Sequence, residues 1–221
     1  MKSVGVVLSG CGFLDGAELY ESVLTLLYLD QAGVHYQCLA PDVSQLHVVD
    51  HFKKEPTTES RRVLTEAARV ARGKILPLED IWVEKVDAVI FPGGFGAAKN
   101  LCDFAVKGKD CSIHPSVESF MKKLMAAGKP VGLICIAPVV MARALKGTSF
   151  HPKMTVGARS GASEALEYFG STHVVCPVMD DVVDRAAKVV TTPAYMYDAR
   201  LAEVAQGIEK LVRDVLSLIP A

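Results

Sequence analysis

The chain has 221 residues, 24 of them basic and 25 acidic, and half of the sequence is apolar. That length supports one substantial core and is short for two ordinary domains, so a single domain over residues 1–221 is expected. The net charge of −1 excludes a basic footprint for nucleic acid or an anionic membrane, and no apolar run approaches the roughly 20 residues that span a bilayer.

In chain order, short apolar runs alternate with amphipathic stretches. Residues 4–8, Val-Gly-Val-Val-Leu, form a near-continuous apolar run of the kind that suits a strand covered on both faces; Ser9-Gly10-Cys11-Gly12 closes it. A helix is predicted over residues 17–32, stopped by Gly33, and a second strand over 34–40 ends at Pro41. Residues 58–71 carry Glu59, Arg61, Arg62, Glu66 and Arg69, which predicts a solvated helix with Glu/Arg pairs. Its rival reading is an inserted element over the site or at a subunit contact. A buried strand over 86–91 runs into Pro92-Gly93-Gly94, a helix over 116–127 ends at Gly128, and a strand over 129–134 leads into Cys135 and a helix over 139–145. The tail reads as a hairpin, Val182-Val183 against Val189-Val190, followed by an amphipathic helix over 198–218. Alternation of this kind predicts an α/β three-layer sandwich, with a mostly parallel central sheet and helices on both faces.

Ligands of open parallel sheets sit beyond the carboxyl ends of the strands. Three segments meet there: Ser9 to Gly12, Pro92 to Gly96, and Cys135-Ile136-Ala137-Pro138. Cys135 falls where a buried strand becomes a helix, which is the position of a nucleophile elbow. The helix N-terminus behind it favours an anion and is expected to lower the thiol pKa. Gly93 and Gly94 let backbone N–H groups approach a developing oxyanion. No Gly-Lys-Ser/Thr follows them, and the first loop has Asp15 where a dinucleotide fingerprint needs glycine, so no nucleotide cofactor is expected. Glu18 and Glu21, one turn apart at the start of the first helix, are the candidate acid/base partners, and spacing alone does not choose between them.

The blocks VVLSGCGFLDGAELYE, VLTEAARVARGKI, FPGGFGAAKNL, GKPVGLICIAP and VVTTPAYM together resemble the ThiJ/PfpI superfamily, and within it the ElbB-type enhancing lycopene biosynthesis proteins. The resemblance implies that Cys135 is the elbow cysteine and that Glu21, rather than Glu18, hydrogen-bonds it. It also places the oxyanion donors at Gly94, beside Gly93, and at the N–H of Ile136. Superfamily hydrolases often carry a histidine after the cysteine or in a late His-x-Glu motif; here Ile136 follows Cys135 and Val174 follows His173. That departure disfavours an amidotransferase or peptidase. Similar proteins are described as glyoxalases independent of glutathione, so the resemblance implies a glyoxalase-type lyase with no cofactor, acting on a small aldehyde or dicarbonyl, and a homodimer. The alternative is a non-catalytic thiol sensor or binding protein linked to isoprenoid synthesis.

Other groups carry weaker expectations. Cys11 and Asn100 are candidates for lining the same pocket, with Lys99 beside them. His47 and His51 would share a helix face, but no third ligand is evident and no metal is expected. Asp180, Asp181 and Asp184 read as a charged hairpin, and His114 before Pro115 as a helix lead-in. The six cysteines, at 11, 38, 102, 111, 135 and 176, form no CxxC pair and read as free thiols of a reducing compartment. No signal peptide precedes the first strand, which points to the cytoplasm; a mitochondrial protein whose transit peptide is removed would read the same.

Overall fold

Seven apolar runs build the central sheet in the computed structural model, which describes residues 2–220. In chain order the strands are β1 (Ser3–Val7), β2 (His35–Ala40), β3 (Ile75–Pro77), β4 (Ala88–Phe91), β5 (Val131–Ile134), β6 (Val182–Asp184) and β7 (Val189–Thr192). Their order across the sheet is β6-β7-β5-β4-β1-β2-β3. Every pairing is parallel except β6 with β7, the predicted hairpin. β1 sits between β2 and β4, so the chain first winds toward one edge and then, from β4 onward, toward the other. That reversal opens a crevice above the carboxyl ends of β1 and β4.

Side chains alternate across the sheet and feed two cores. Val4, Val6, Leu8, Ala88, Ile90, Ile134 and Val190 face α1 (Leu19–Gln31), α2 (Val63–Val70) and α6 (Leu201–Ser217). Val7, Val89, Phe91, Val131, Leu133 and Val189 face α3 (Pro115–Ala126), α4 (Ala137–Leu145) and α5 (Gly161–Tyr168). The strands are therefore covered on both sides, which is why they read as apolar runs rather than as alternation. Each fully buried Leu, Ile or Val contributes about 1.5–3 kcal/mol relative to exposure. The close approach of α6 is made possible by Gly132: a Cβ there would lie 2.9 Å from Leu211 and 3.0 Å from Val215.

The largest departure from the predicted elements is at residues 58–71, where the helix covers only Val63–Val70. The residues before it are used elsewhere. Ser44 bridges Arg62, Gln45 N–H donates to the Arg61 carbonyl, and Val63 N–H donates to that of Val43. This pairing holds Arg62 extended and fixes where the helix begins. The Glu/Arg pairs do form: Arg61 and Arg69 both reach Glu66, which is buried. His47 and His51 do not share a helix, because Val49–Asp50 pairs with Glu55–Pro56 in a small antiparallel ribbon. His114 and Pro115 open α3 as expected. The helices predicted over 17–32 and 198–218 are each shorter by a few residues at the ends. The edge strand β3 and the helix α5 are among the elements that have no counterpart in the predicted ones.

Candidate active site

The crevice at the sheet reversal brings together Cys135 from the end of β5, Gly93 and Gly94 after β4, and Glu21 from the first turn of α1. Cys135 lies in the left-handed region at φ +62°, a conformation that costs a non-glycine residue about 1–3 kcal/mol. Its N–H donates to the Thr192 carbonyl at 3.0 Å, which holds the bend against β7. The following residues turn directly into α4, with Ile136 at the N-cap and Pro138 in the first turn. The elbow expected from sequence is thus a strained, tethered turn.

Glu21 is fully buried, and three groups meet its carboxyl. Gly93 N–H donates to Oε2 at 2.8 Å, Tyr195 N–H donates to Oε1 at 3.4 Å, and the Cys135 thiol donates to the same carboxyl. The N–H groups of Gly94 and Ile136 point at the Cys135 sulfur. Gly93 admits no side chain: a Cβ there would lie 2.5 Å from the Cys135 Cβ and 2.9 Å from Glu21 Oε2. Gly94 has φ +88°, and its Cβ would fall 2.4 Å from the backbone nitrogen of Glu18. Glu18 itself caps α1, its Oε2 accepting from Glu21 N–H at 2.7 Å. So one of the two glutamates shapes the helix end and the other faces the sulfur.

Burial dominates the electrostatics of the pair. Desolvation, reinforced by the nearby Glu18, pushes the Glu21 carboxyl up to about 8, against the pull of the Gly93 and Tyr195 N–H groups. Desolvation likewise pushes the Cys135 thiol well above its ordinary value, and a charge on Glu21 pushes it further. The Gly94 and Ile136 N–H groups favour the anion, in the sense expected from the helix N-terminus, but they are outweighed. The expected lowering of the thiol pKa is therefore corrected to a rise.

A cavity of about 260 Å³ opens onto this pair. Cys135, Ile136 and Gly94 form its floor, Phe13, Phe95, Tyr195 and Met196 its walls, and Glu18 stands at its rim. No histidine lines it. A larger groove of about 690 Å³ lies between α1 and α2, but its one cysteine, Cys38, is buried and pushed up to about 11 by desolvation. The smaller cavity is the one lined by Cys135 and the loop that faces it.

Cys11 and Asn100, expected at the pocket, stand apart from it. Asn100 is buried as a strut, its Nδ2 donating to the Ser9 and Asp15 carbonyls and its Oδ1 accepting from Leu46 N–H. Its polar atoms are consumed in joining three loops. Cys11 packs against the core on the α2 side, where burial and Glu66 push its thiol up. Lys99 donates to the Leu14 carbonyl and lies over the Phe95 ring. Asp180 pairs with Lys210, and Asp184 caps the β6–β7 turn by accepting from Ala186 and Ala187 N–H. Among the described residues, no group of three or more His, Cys, Asp or Glu is placed to hold a metal. The pocket walls and the Tyr195 N–H escaped the sequence reading; the block VVTTPAYM contains Tyr195 and Met196, and it marked the segment without revealing a role.

A thiol on a tethered elbow, with a buried carboxyl against it at the reversal of a mostly parallel sheet, defines an amidotransferase-like α/β protein. Residues 11–192 match the DJ-1/PfpI family, and the chain belongs to that family. A human protein named glutamine amidotransferase-like class 1 domain-containing protein 3, mitochondrial, is 48% identical over 225 residues, covering 97% of this chain and 82% of its own. The ES1 protein, mitochondrial, of Danio rerio is 32% identical over 235 residues, covering 98% and 86%. Among solved structures, an isoprenoid biosynthesis protein with an amidotransferase-like domain from Ehrlichia chaffeensis superposes with a TM-score of 0.90 at 36% identity, covering 97% of this chain and 99% of that one. Drosophila melanogaster DJ-1beta, at 19% identity and a TM-score of 0.52 over 98% and 95% of the two chains, shares the fold.

Proposed function

We propose that the chain is a cofactor-independent glyoxalase-type lyase, a single-domain enzyme that converts glyoxal or a similar small dicarbonyl to its hydroxy acid. The observation that carries this reading is the Cys135–Glu21 contact at the floor of a cavity of about 260 Å³. A carboxyl held near 8 keeps its proton at neutrality and releases it just above, which suits a group that gives and takes a proton within one cycle.

In this mechanism the Cys135 sulfur attacks one aldehyde carbon. Glu21 gives its proton to the carbonyl oxygen as its other oxygen takes the thiol proton, leaving a neutral hemithioacetal. The N–H groups of Gly94 and Ile136 stabilise the oxygen as charge builds on it. Glu21, still protonated after that exchange, loses its proton to solvent water and as carboxylate removes the proton from the sulfur-bearing carbon and returns it to the neighbouring carbon. The hemithioacetal hydroxyl proton passes through water to the neighbouring oxygen, so that a thioester forms and Glu21 recovers its proton from solvent. Water hydrolyses the thioester, releasing the hydroxy acid and restoring the thiol.

The test is steady-state turnover of glyoxal and methylglyoxal, with glutamine and a glycated thiol as comparison substrates. Many equivalents of dicarbonyl should be consumed by the wild type and none by Cys135→Ser. An undiminished rate in that variant would overturn the mechanism, and glutamine hydrolysis would revive the amidotransferase reading that the absence of histidine from the cavity lining disfavours. A thiol sensor is the less supported alternative, because burial that raises the Cys135 thiol also slows its oxidation.

We further propose a homodimer through the exposed face of α1, where Leu19, Tyr20, Val23 and Leu27 present apolar side chains beside the cavity rim. Sedimentation of the wild type against Val23→Lys tests it; a wild type that sediments as a monomer rules it out. For location, the relatives named as mitochondrial favour the mitochondrion over the cytoplasm as the working compartment. No helix among the described residues is long and apolar enough to cross a membrane.

A further inference from the structure

We propose that Cys102 and Cys111 form a second thiol centre, unconnected to the Cys135 reaction, that a hydroperoxide converts reversibly to an intramolecular disulfide.

The backbone brings the two residues together. The glycine loop after β4 continues into a π-helical turn, Ala97–Leu101, and Cys102 is its C-terminal cap. The chain then leaves for a short excursion and returns antiparallel to itself. Cys102 bridges Ile113, Asp103 N–H donates to the Ser112 carbonyl, and His114 N–H donates to that of Leu101. In that register Cys111 is the diagonal neighbour of Cys102 on the same face, a placement from which cross-strand side chains meet. Both side chains pack in the same core, where the Cys102 thiol donates to the Ala97 carbonyl at 3.5 Å and each sulfur shifts the titration of the other. Both are free cysteines, and both side chains are buried.

The polarity of the pair is set by its surroundings. Arg143 of α4 donates through Nε to the Cys111 carbonyl at 2.8 Å and is paired with no carboxylate among the described residues, so its charge is available to the Cys111 sulfur. The Cys102 thiol and this guanidinium together draw Cys111 down to about 7. Burial and Cys111 push Cys102 well up. The guanidinium beside Cys111 favours charge on that sulfur and the proton on Cys102, the pairing of an attacking and a resolving thiol. Access is short-range: Asp110 and Ser112 on either side of Cys111 are exposed, as are residues 105–107 of the excursion.

The chemistry balances in two steps. The Cys111 sulfur attacks one oxygen of hydrogen peroxide, the O–O bond breaks, and a sulfenic acid forms while the departing hydroxide takes up from solvent the proton that Cys111 had released, giving water. The Cys102 sulfur then attacks the Cys111 sulfur, its proton leaves with the sulfenic hydroxyl as a second water, and the S–S bond closes. The oxidant is reduced by two electrons, and those electrons come from the two thiols. A dithiol reductant reverses the change.

Trypsin provides a direct readout on the full chain. Cleavage after Lys99, Lys107, Lys109 and Lys122 places Cys102 in peptide 100–107 and Cys111 in peptide 110–122, so only a disulfide can join them. The protein is treated with a few equivalents of hydrogen peroxide, its remaining thiols are blocked with a maleimide, and a non-reducing digest is mapped by mass spectrometry. The expected product is the joined pair, two hydrogens lighter than its parts and absent after dithiothreitol. In Cys102→Ser the Cys111 sulfenic acid should instead be trapped by dimedone; in Cys111→Ser, Cys102 should be blocked by maleimide unoxidised. Recovery of both wild-type cysteines as maleimide adducts, or as separate sulfinic or sulfonic acids, would overturn the proposal. The wild-type map decides the matter even if either variant fails to fold.

Discussion

Two cysteine environments in this chain are both closed to solvent, Cys135 the more deeply set, and they arrive at opposite electrostatics. Cys135 faces a carboxyl and two backbone N–H groups, and its thiol is held well above the ordinary value. Cys111 faces a second thiol and a guanidinium, and its thiol is drawn down to about 7. Burial opposes the anion in both places but dominates only at Cys135, so the difference lies in depth and in the neighbours together. At Cys111 the neighbouring Cys102 thiol, with the guanidinium adding to it, outweighs desolvation, whereas the two N–H dipoles at Cys135 do not. Position at a helix N-terminus is thus a weak guide to thiol charge when a carboxyl shares the site.

The sharpest way to break the comparison is to remove each sulfur. Cys135→Ser should reduce dicarbonyl turnover to background with the fold intact by circular dichroism, while Cys111→Ser should leave turnover close to wild type. Glu21→Gln keeps the shape but not the proton transfer, and kcat should fall by about 10²–10⁴-fold in a steady-state assay. Gly93→Ala places a methyl group against the Cys135 and Glu21 side chains, an overpacking that should cost about 1–3 kcal/mol in urea unfolding and suppress turnover with it.

Glu21 also makes stability depend on pH in a predictable sense. Its folded value of about 8 lies above the ordinary 4.5, so between these values the native state holds a proton that the unfolded chain releases. Its contribution is complete below pH 4.5 and is lost as pH rises through 8, amounting to several kcal/mol. Urea midpoints for Glu21→Gln should therefore lack this decline and should exceed the wild type near pH 9; a parallel decline in the variant would place the proton elsewhere. The smallest effect concerns the second centre. Arg143→Met removes its cation, so Cys111 should titrate higher and react several-fold more slowly with iodoacetamide at pH 7.

Most of the fold was legible because its strands are covered on both faces. Residues 4–8, 86–91 and 129–134 announce themselves as apolar runs, and Gly33 and Gly128 stop the helices before two strands. What escaped was decided by distant partners or by brevity. Arg62 is extended because it pairs with Ser44, a contact that no local pattern encodes. Strand β3 has three residues and ends in Pro77, and α5 has eight. At the candidate site, the strand-to-helix junction exposed Cys135 and the glycines marked the facing loop. Spacing did not separate Glu21 from Glu18; the family pattern did. The Tyr195 contact was invisible, since a backbone N–H leaves no trace in a side-chain motif. Asn100 misled for the opposite reason, as a polar residue after a glycine loop looks the same whether it meets a ligand or ties loops together.

The carboxyl of Glu21 is held by a donor 72 residues away and another 174 residues away. Loop closure of that span comes late and slowly in folding, because distant segments must already be in place before the contacts form. A nascent chain that has not yet delivered β7 and the turn after it has no seat for this proton and no prop behind the elbow. The pairing of this sulfur with the carboxyl is accordingly complete only once residues 192–195 have joined the fold, and until then the thiol keeps its ordinary, less restrained reactivity.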